Sequence, residues 1–255
     1  MELNLWFAFT LGIAGLLIGS FLNVVAIRGL QKASIVYPAS HCVHCQHTLR
    51  PFDLIPVVSY FFLRGRCRYC GESISPVYPI GEAAAAVVFA WIGWHYGPLN
   101  LEWIPALLLA SVLIVITHTD LKEMTIPNAI VFPAAAIAAI LRGMIHPLPY
   151  WNYVAAAAIG FGILYILAVL SRGGMGGGDM KLYLFIGLIC GIPMTLLSLF
   201  FASLLGSLYG LGRQAFGRGK RKEAIPFGPF IACGTLPAFL YGNQIIALYL
   251  QFFYM

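Results

Sequence analysis

The chain has 255 residues, 60% hydrophobic and only 9% charged, with a mean hydropathy of +0.86 and a formal net charge of +6. A water-soluble domain runs at about 45–50% apolar and about 25% charged, so a single soluble core is excluded; repeated bilayer spans of roughly 20 apolar residues fit instead. The basic residues sit between apolar runs and form no basic stripe interleaved with aromatics, so nucleic-acid binding is set aside as well.

Hydropathy predicts an all-α, polytopic membrane protein of about eight transmembrane helices with a small cytoplasmic zinc-ribbon-like loop domain. The first apolar run is 5–27. Its lead-in, Met1-Glu2-Leu3-Asn4-Leu5-Trp6, has no positive n-region and no small-residue cleavage site follows, so it is expected to be a span and not a removable signal peptide. The further runs are 82–97, 103–119, 127–145, 152–170, 182–194, 196–212 and 228–252. The stretch 182–212 is too long for one span and is divided at Gly191-Ile192-Pro193 into two short helices. In hydrocarbon every backbone polar group must be paired internally, which makes the spans helices. Three segments result: 1–27 as the first transmembrane helix, 28–81 as a cytoplasmic loop and 82–255 as the remaining membrane domain.

The loop 28–81 is too small to build a strong core alone and should need a staple. It contains Cys42-x-x-Cys45 and Cys67-x-x-Cys70. Paired CxxC knuckles at this separation are a zinc-ribbon signature, because each tight turn offers two thiolates to one tetrahedral ion. Gly71 suits the second knuckle turn, and His41, His44 and His47 crowd the first. Two disulfides are the alternative, but a cytosolic loop disfavours them. Cys190 and Cys233 lie singly in spans and are expected to be buried small hydrophobes.

The cytoplasmic placement rests on charge. Arg28, Lys32, Arg50, Arg64, Arg66 and Arg68 lie in the loop, and Arg213, Arg218, Lys220, Arg221 and Lys222 before the last span. Lys122, Arg172 and Lys181 fall at span ends on that same side, leaving Arg142 alone on the other. The positive side is cytoplasmic, which puts both termini outside, in agreement with an even span count.

Asp53, Asp120 and Asp179 are the chain's aspartates. Asp120 closes the third run in Ile116-Thr117-His118-Thr119-Asp120, and Asp179 precedes the sixth in Gly173-Gly174-Met175-Gly176-Gly177-Gly178-Asp179. An ionisable group at the membrane is costly and points to function. Two close carboxylates share one proton, and such a pair can activate water and protonate a leaving amine. The glycines before Asp179 would let another backbone approach closely. Solvated helix ends are the plain alternative; Lys122 and Glu123 beside Asp120 suit an ordinary loop.

With these residues in view, the chain resembles the type IV prepilin peptidases over nearly its whole length. The resemblance lies in Gly19-Ser20-Phe21-Leu22-Asn23-Val24-Val25, in Asp53-Leu54-Ile55-Pro56-Val57-Val58-Ser59-Tyr60 and in Leu63-Arg64-Gly65-Arg66-Cys67-Arg68-Tyr69-Cys70. It continues through Ser73-Ile74-Ser75-Pro76-Val77-Tyr78-Pro79-Ile80-Gly81-Glu82, Asp120 with Ile126-Pro127-Asn128, and the GxGD motif in Gly176-Gly177-Gly178-Asp179-Met180-Lys181. The order and spacing of these segments together are specific.

The resemblance implies an enzyme of the bacterial cytoplasmic membrane with two activities. It would cut the basic leader from prepilins or pseudopilins after a glycine, then methylate the new N-terminus with S-adenosylmethionine. Asp120 and Asp179 would be the peptidase dyad, and Cys42, Cys45, Cys67 and Cys70 the zinc ligands; some relatives lack the four cysteines. Asn128 stands where many relatives carry Asp. Glu82 closes a matched segment, though its carboxylate could simply favour a helix N-terminus. No strand, Gly-rich turn and helix can be read, so the methyl-donor site is left unassigned, with the loop 28–81 its expected place. A proton- or ion-relaying transporter and a non-enzymatic scaffold binding partners through the zinc loop are the rival classes.

Overall fold

A computed structural model describes residues 2–171, 176–216 and 225–254. Arg172, Gly173, Gly174, Met175, Arg218, Lys220, Arg221 and Lys222 lie outside the described residues, and with them part of the charge argument. The described chain is helical, with two isolated bridges, His41 with Thr48 and Arg66 with Ser73. It falls into two compact units, Met1–Trp103 and Ile104–Met255.

In the first unit, α1 (Glu2–Leu30) packs against α3 (Val77–Tyr96). Small residues allow that approach. A Cβ added at Gly15 would stand 2.7 Å from the Ala85 carbonyl, and one at Gly19 would stand 2.8 Å from the Ala85 Cβ. Without a hydrophobic drive inside lipid, such backbone proximity is what holds helices together. Buried Asn23 adds a polar tie, its Nδ2 donating to the Tyr78 carbonyl at 3.0 Å. Between the two helices, the loop adds a 3-10 turn (Pro51–Leu54) and the short α2 (Val58–Phe62).

The second unit consists of α4 (Trp103–Glu123, from Ile104 onward), α5 (Asn128–Met144), α6 (Tyr150–Leu170), α7 (Gly177–Cys190), α8 (Ile192–Ala215) and α9 (Gly228–Tyr254). Six of the described helices, α1, α3, α4, α6, α8 and α9, are long and apolar enough to cross a membrane. The α5 helix has 17 residues and α7 only 14. The eight predicted runs therefore match eight helices, although two fall short of a full span. The 14 residues of α7 extend about 21 Å, short of a hydrocarbon core about 30 Å thick.

The division of 182–212 holds, at Gly191 with φ 75°, but α8 runs to 24 residues and is not short. Two boundaries matter for the sites. Helix α7 begins at Gly177, so Asp179 belongs to its first turn and does not precede it. Helix α3 begins at Val77, so Glu82 is its buried sixth residue and not a helix-terminal carboxylate. Arg142, which the charge pattern leaves alone on the other side, is 2% exposed, its Nε donating to the Ile189 carbonyl at 2.8 Å and one terminal nitrogen to the Ile145 carbonyl at 3.1 Å. Its guanidinium also lies 4.8 Å from the Tyr153 ring centroid. It satisfies carbonyls at the ends of α7 and α5 that no helical N–H reaches. Cys190 is buried as expected, whereas Cys233 is exposed; an exposed apolar side chain on a membrane helix faces lipid, where it costs nothing.

Candidate active site and metal centre

Asp120 sits in the last turn of α4 and Asp179 in the first turn of α7, 5% and 8% exposed. Both line one cavity of about 840 Å³, together with Ile126, Asn128, Gly176, Gly178, Lys181 and Phe227. Asp120 Oδ2 accepts the Gly228 N–H at 2.7 Å, at the start of α9. A Cβ at Gly228 would stand 2.9 Å from that same oxygen, so any side chain there would displace the carboxylate. Across the site, a Cβ at Gly178 would lie 2.8 Å from the Ile126 Cβ. The GxGD glycine thus lets α7 seat against the chain leading into α5. Among the described residues, no basic side chain pairs with either carboxylate, whereas Arg68 pairs with Asp53.

Sequence reasoning missed five contributors. Lys181 donates to Asn128 Oδ1 at 3.0 Å and lies 5.9 Å from the Phe132 ring centroid, which brings a cation to the wall of the same cavity. The Gly228 N–H gives no signal at all, being a backbone group 108 residues from its partner. One turn along α7 from Asp179, Tyr183 meets Ser198 Oγ at 3.2 Å, and Ser198 meets Thr235 Oγ1 at 2.6 Å. All three are fully buried. A polar stripe within the spans, not expected from hydropathy, therefore ties α7 to α8 and α9, the helices that position Asp179 and the Gly228 donor. Isolated hydroxyls in apolar runs give little pattern, and only packing shows that they converge.

In the first unit, the four thiols of Cys42, Cys45, Cys67 and Cys70 converge, all Sγ atoms within 4.8 Å of one another. Cys42 and Cys70 Sγ are 3.9 Å apart. Tetrahedral zinc with bonds of about 2.3 Å requires sulfurs about 3.8 Å apart, whereas a disulfide requires about 2.05 Å. The donors fit zinc and do not stand as bonded pairs. The knuckles share one pattern: Cys42 N–H donates to His47 O and Cys67 N–H to Glu72 O, while Gln46 and Gly71 close the turns with φ of 59° and 73°. The backbone N–H groups of Cys45 and His44 lower the Cys42 thiol to about 6. The Glu72 N–H draws Cys70 down, but desolvation and the other three sulfurs outweigh it and push that thiol up to about 12. Four thiols in one place cannot all ionise without a cation among them. His47 stands outside the set, its ring centroid 3.7 Å from that of Tyr69.

Asp53 and Glu82 have structural partners here. Asp53 accepts from Arg68 Nε at 2.6 Å, Tyr69 OH at 3.1 Å and the Arg50 N–H at 3.1 Å. It clasps the 3-10 turn to the second knuckle. Desolvation opposes ionisation of Asp53, yet the Arg50, Arg68 and Tyr69 donors prevail and hold its carboxyl below the ordinary 3.8. Glu82 Oε2 accepts the Val57 N–H at 2.7 Å, which fastens the loop to α3.

Fold and site define a polytopic helical membrane protein with a buried aspartate pair in one unit and a four-thiol loop in the other. Residues 13–96 match the bacterial peptidase A24 N-terminal domain, and residues 107–211 match the type IV leader peptidase family. The chain is similar to the prepilin leader peptidase/N-methyltransferase of Bacillus subtilis (strain 168), 40% identical over 240 residues that cover 94% of this chain and 96% of the relative. The proteins of that name from Pseudomonas putida and Dichelobacter nodosus are each 32% identical, over 94% of this chain and 92% and 94% of their own. No solved structure matches it. The chain belongs to the type IV leader peptidase family.

Proposed function

We propose that the protein is a membrane aspartyl endopeptidase that removes the leader from type IV prepilins or pseudopilins and methylates the new N-terminus. The observation that supports it most is the cavity: two buried carboxylates from different helices line one space, with no cation paired to either among the described residues.

Close carboxylates in an apolar surround hold one proton between them. The ionised member takes a proton from water as that water attacks the scissile carbonyl. The protonated member hydrogen-bonds the developing oxyanion, and a proton then passes to the leaving amine. The Gly228 N–H fixes Asp120, so the pair is oriented before substrate arrives. Lys181, held by Asn128 and with ammonium donors to spare, presents positive charge at the cavity wall where a substrate carbonyl can accept. A second cavity of about 280 Å³, lined by Ser203, Gly206 and Phe230, shares Ile225 and Phe227 with the first. The substrate's own apolar helix would dock laterally among the spans, its basic leader remaining in the cytosol.

Zinc would be held by Cys42, Cys45, Cys67 and Cys70. Four thiolates close its coordination and leave no position for water, so its contribution is the folded loop. Methylation, with S-adenosylmethionine as donor, is inferred from likeness to the named relatives, and no residue is assigned to it. The loop and both aspartates face the cytoplasm, and both termini lie outside, on the distribution of Lys and Arg.

The test is mass spectrometry of a pilin-like substrate incubated in membranes with the protein and S-adenosylmethionine. Leader loss plus one methyl group is the expected result. Leader loss alone would reduce the enzyme to a peptidase. An uncut substrate with folded protein would return the transporter and scaffold readings.

A further inference from the structure

The loop of the first unit exposes an apolar surface outside its four-thiol cluster. Val58, Phe61 and Phe62 stand at i, i+3 and i+4 of α2 and so share a helical face. They are 45%, 71% and 84% exposed, and Phe52, just before them in the 3-10 turn, is 74% exposed. Uncovered apolar side chains sharing one face of a folded element mark a contact surface.

Two observations specify what covers it. The first is height. Val57, at the head of α2, donates its N–H to Glu82 at 2.7 Å, and Glu82 is buried against α1, its Cα 3.0 Å from where a Gly19 Cβ would stand. Val57 holds this bond at φ 61°, a conformation costly to a β-branched residue, so the fastening is specific and not incidental. Glu82 lies five residues into α3, about 7–8 Å from its first residue. The head of α2 is therefore fastened to the first turns of a membrane helix and does not sit at the far tip of the loop. The second is charge. Arg64 and Arg66 follow α2 directly, are exposed, and have no acidic partner among the described residues, whereas Arg68 is engaged by Asp53. Apolar residues with adjoining arginines at the level of a span's end match the chemistry of an anionic lipid interface.

We propose that α2 is an interfacial anchor: Val58, Phe61 and Phe62 insert at the boundary of headgroups and acyl chains around α1 and α3, and Arg64 and Arg66 bind anionic lipid phosphates. The anchor would hold the metal loop at a set height above the bilayer.

The test is photo-crosslinking of the full chain reconstituted in vesicles of phosphatidylglycerol and phosphatidylethanolamine. A benzophenone amino acid replaces Phe62, whose exposure makes the exchange tolerable, or Val36, which is 89% exposed in the same loop, as the control. Mass spectrometry should find lipid adducts severalfold more abundant at position 62 than at 36. Changing Arg64→Gln with Arg66→Gln should lower the yield at 62 severalfold in these vesicles and leave it unchanged in phosphatidylcholine. Equal yields at the two positions, or none at 62, would overturn the anchor. An unchanged yield after the arginine exchange would overturn the headgroup contact. Transfer of the adduct from lipid to an added pilin-like peptide would overturn the lipid assignment and make α2 a substrate-docking face.

Discussion

Asp53 in the loop and the Asp120–Asp179 pair in the helical bundle are the same side chain in opposite circumstances. Asp53 has both oxygens occupied, by an arginine, a tyrosine hydroxyl and a backbone N–H. Asp120 and Asp179 are as well buried, yet no cation pairs with them among the described residues. A carboxylate whose lone pairs are filled cannot take up a proton easily, and so it holds structure together. Carboxylates left largely unfilled beside a cavity retain proton affinity, which is what acid–base chemistry requires.

The sharpest way to break the comparison is to neutralise each aspartate. Asp120→Asn or Asp179→Asn should lower leader cleavage by about 10²–10⁴-fold or more with the protein still folded, as followed by mass spectrometry of the substrate. Asp53→Asn should leave cleavage chemistry standing and weaken the loop. Equal losses of activity from all three would dissolve the distinction.

Next in size is orientation. Gly228→Val puts a side chain against Asp120 Oδ2 and displaces the carboxylate. Misplacement on the order of 1 Å can cost about 10²-fold, to be read as a fall in kcat for cleavage with membrane insertion unchanged. Cys67→Ser should abolish stoichiometric zinc in elemental analysis and unfold the loop, because binding free energy is folding free energy in such sites. Cleavage should be lost only as a consequence of loop unfolding. Lost cleavage with a folded loop would give the metal a chemical role.

A smaller effect concerns pH. The Asp53 carboxyl is held below its unfolded value near 3.8, so its stabilisation is complete above that pH and disappears as pH falls through the folded value. Asp53→Asn should remove about 1–2 kcal/mol from loop stability near neutrality. This should be read as a lower melting temperature of the zinc-loaded loop near pH 7, and the difference from wild type should shrink as pH falls. Smallest is Gln46→Gly, which supplies at the first knuckle the residue that Gly71 provides at the second. Relief of the left-handed backbone should raise the melting temperature slightly, by roughly 0.5–1 kcal/mol equivalent at most.

Much of this was legible in the sequence because hydrocarbon imposes a simple code. An apolar run of about 20 residues must be a helix, so the spans could be read from composition alone. The break at Gly191 and the paired CxxC knuckles were legible because tight turns and tetrahedral thiolates need local spacing. Asp120 and Asp179 stood out because a charge at a membrane helix end is rare. Tertiary structure alone decided that they share a cavity, that Gly228 holds one of them, and that Lys181 reaches the cavity wall. It also made Arg142 a buried cap and turned Glu82 from a helix-end charge into the fastening of the loop to α3. Each of these depends on partners far apart in the chain. Local pattern records which residues prefer lipid or a turn; only packing records which of them meet.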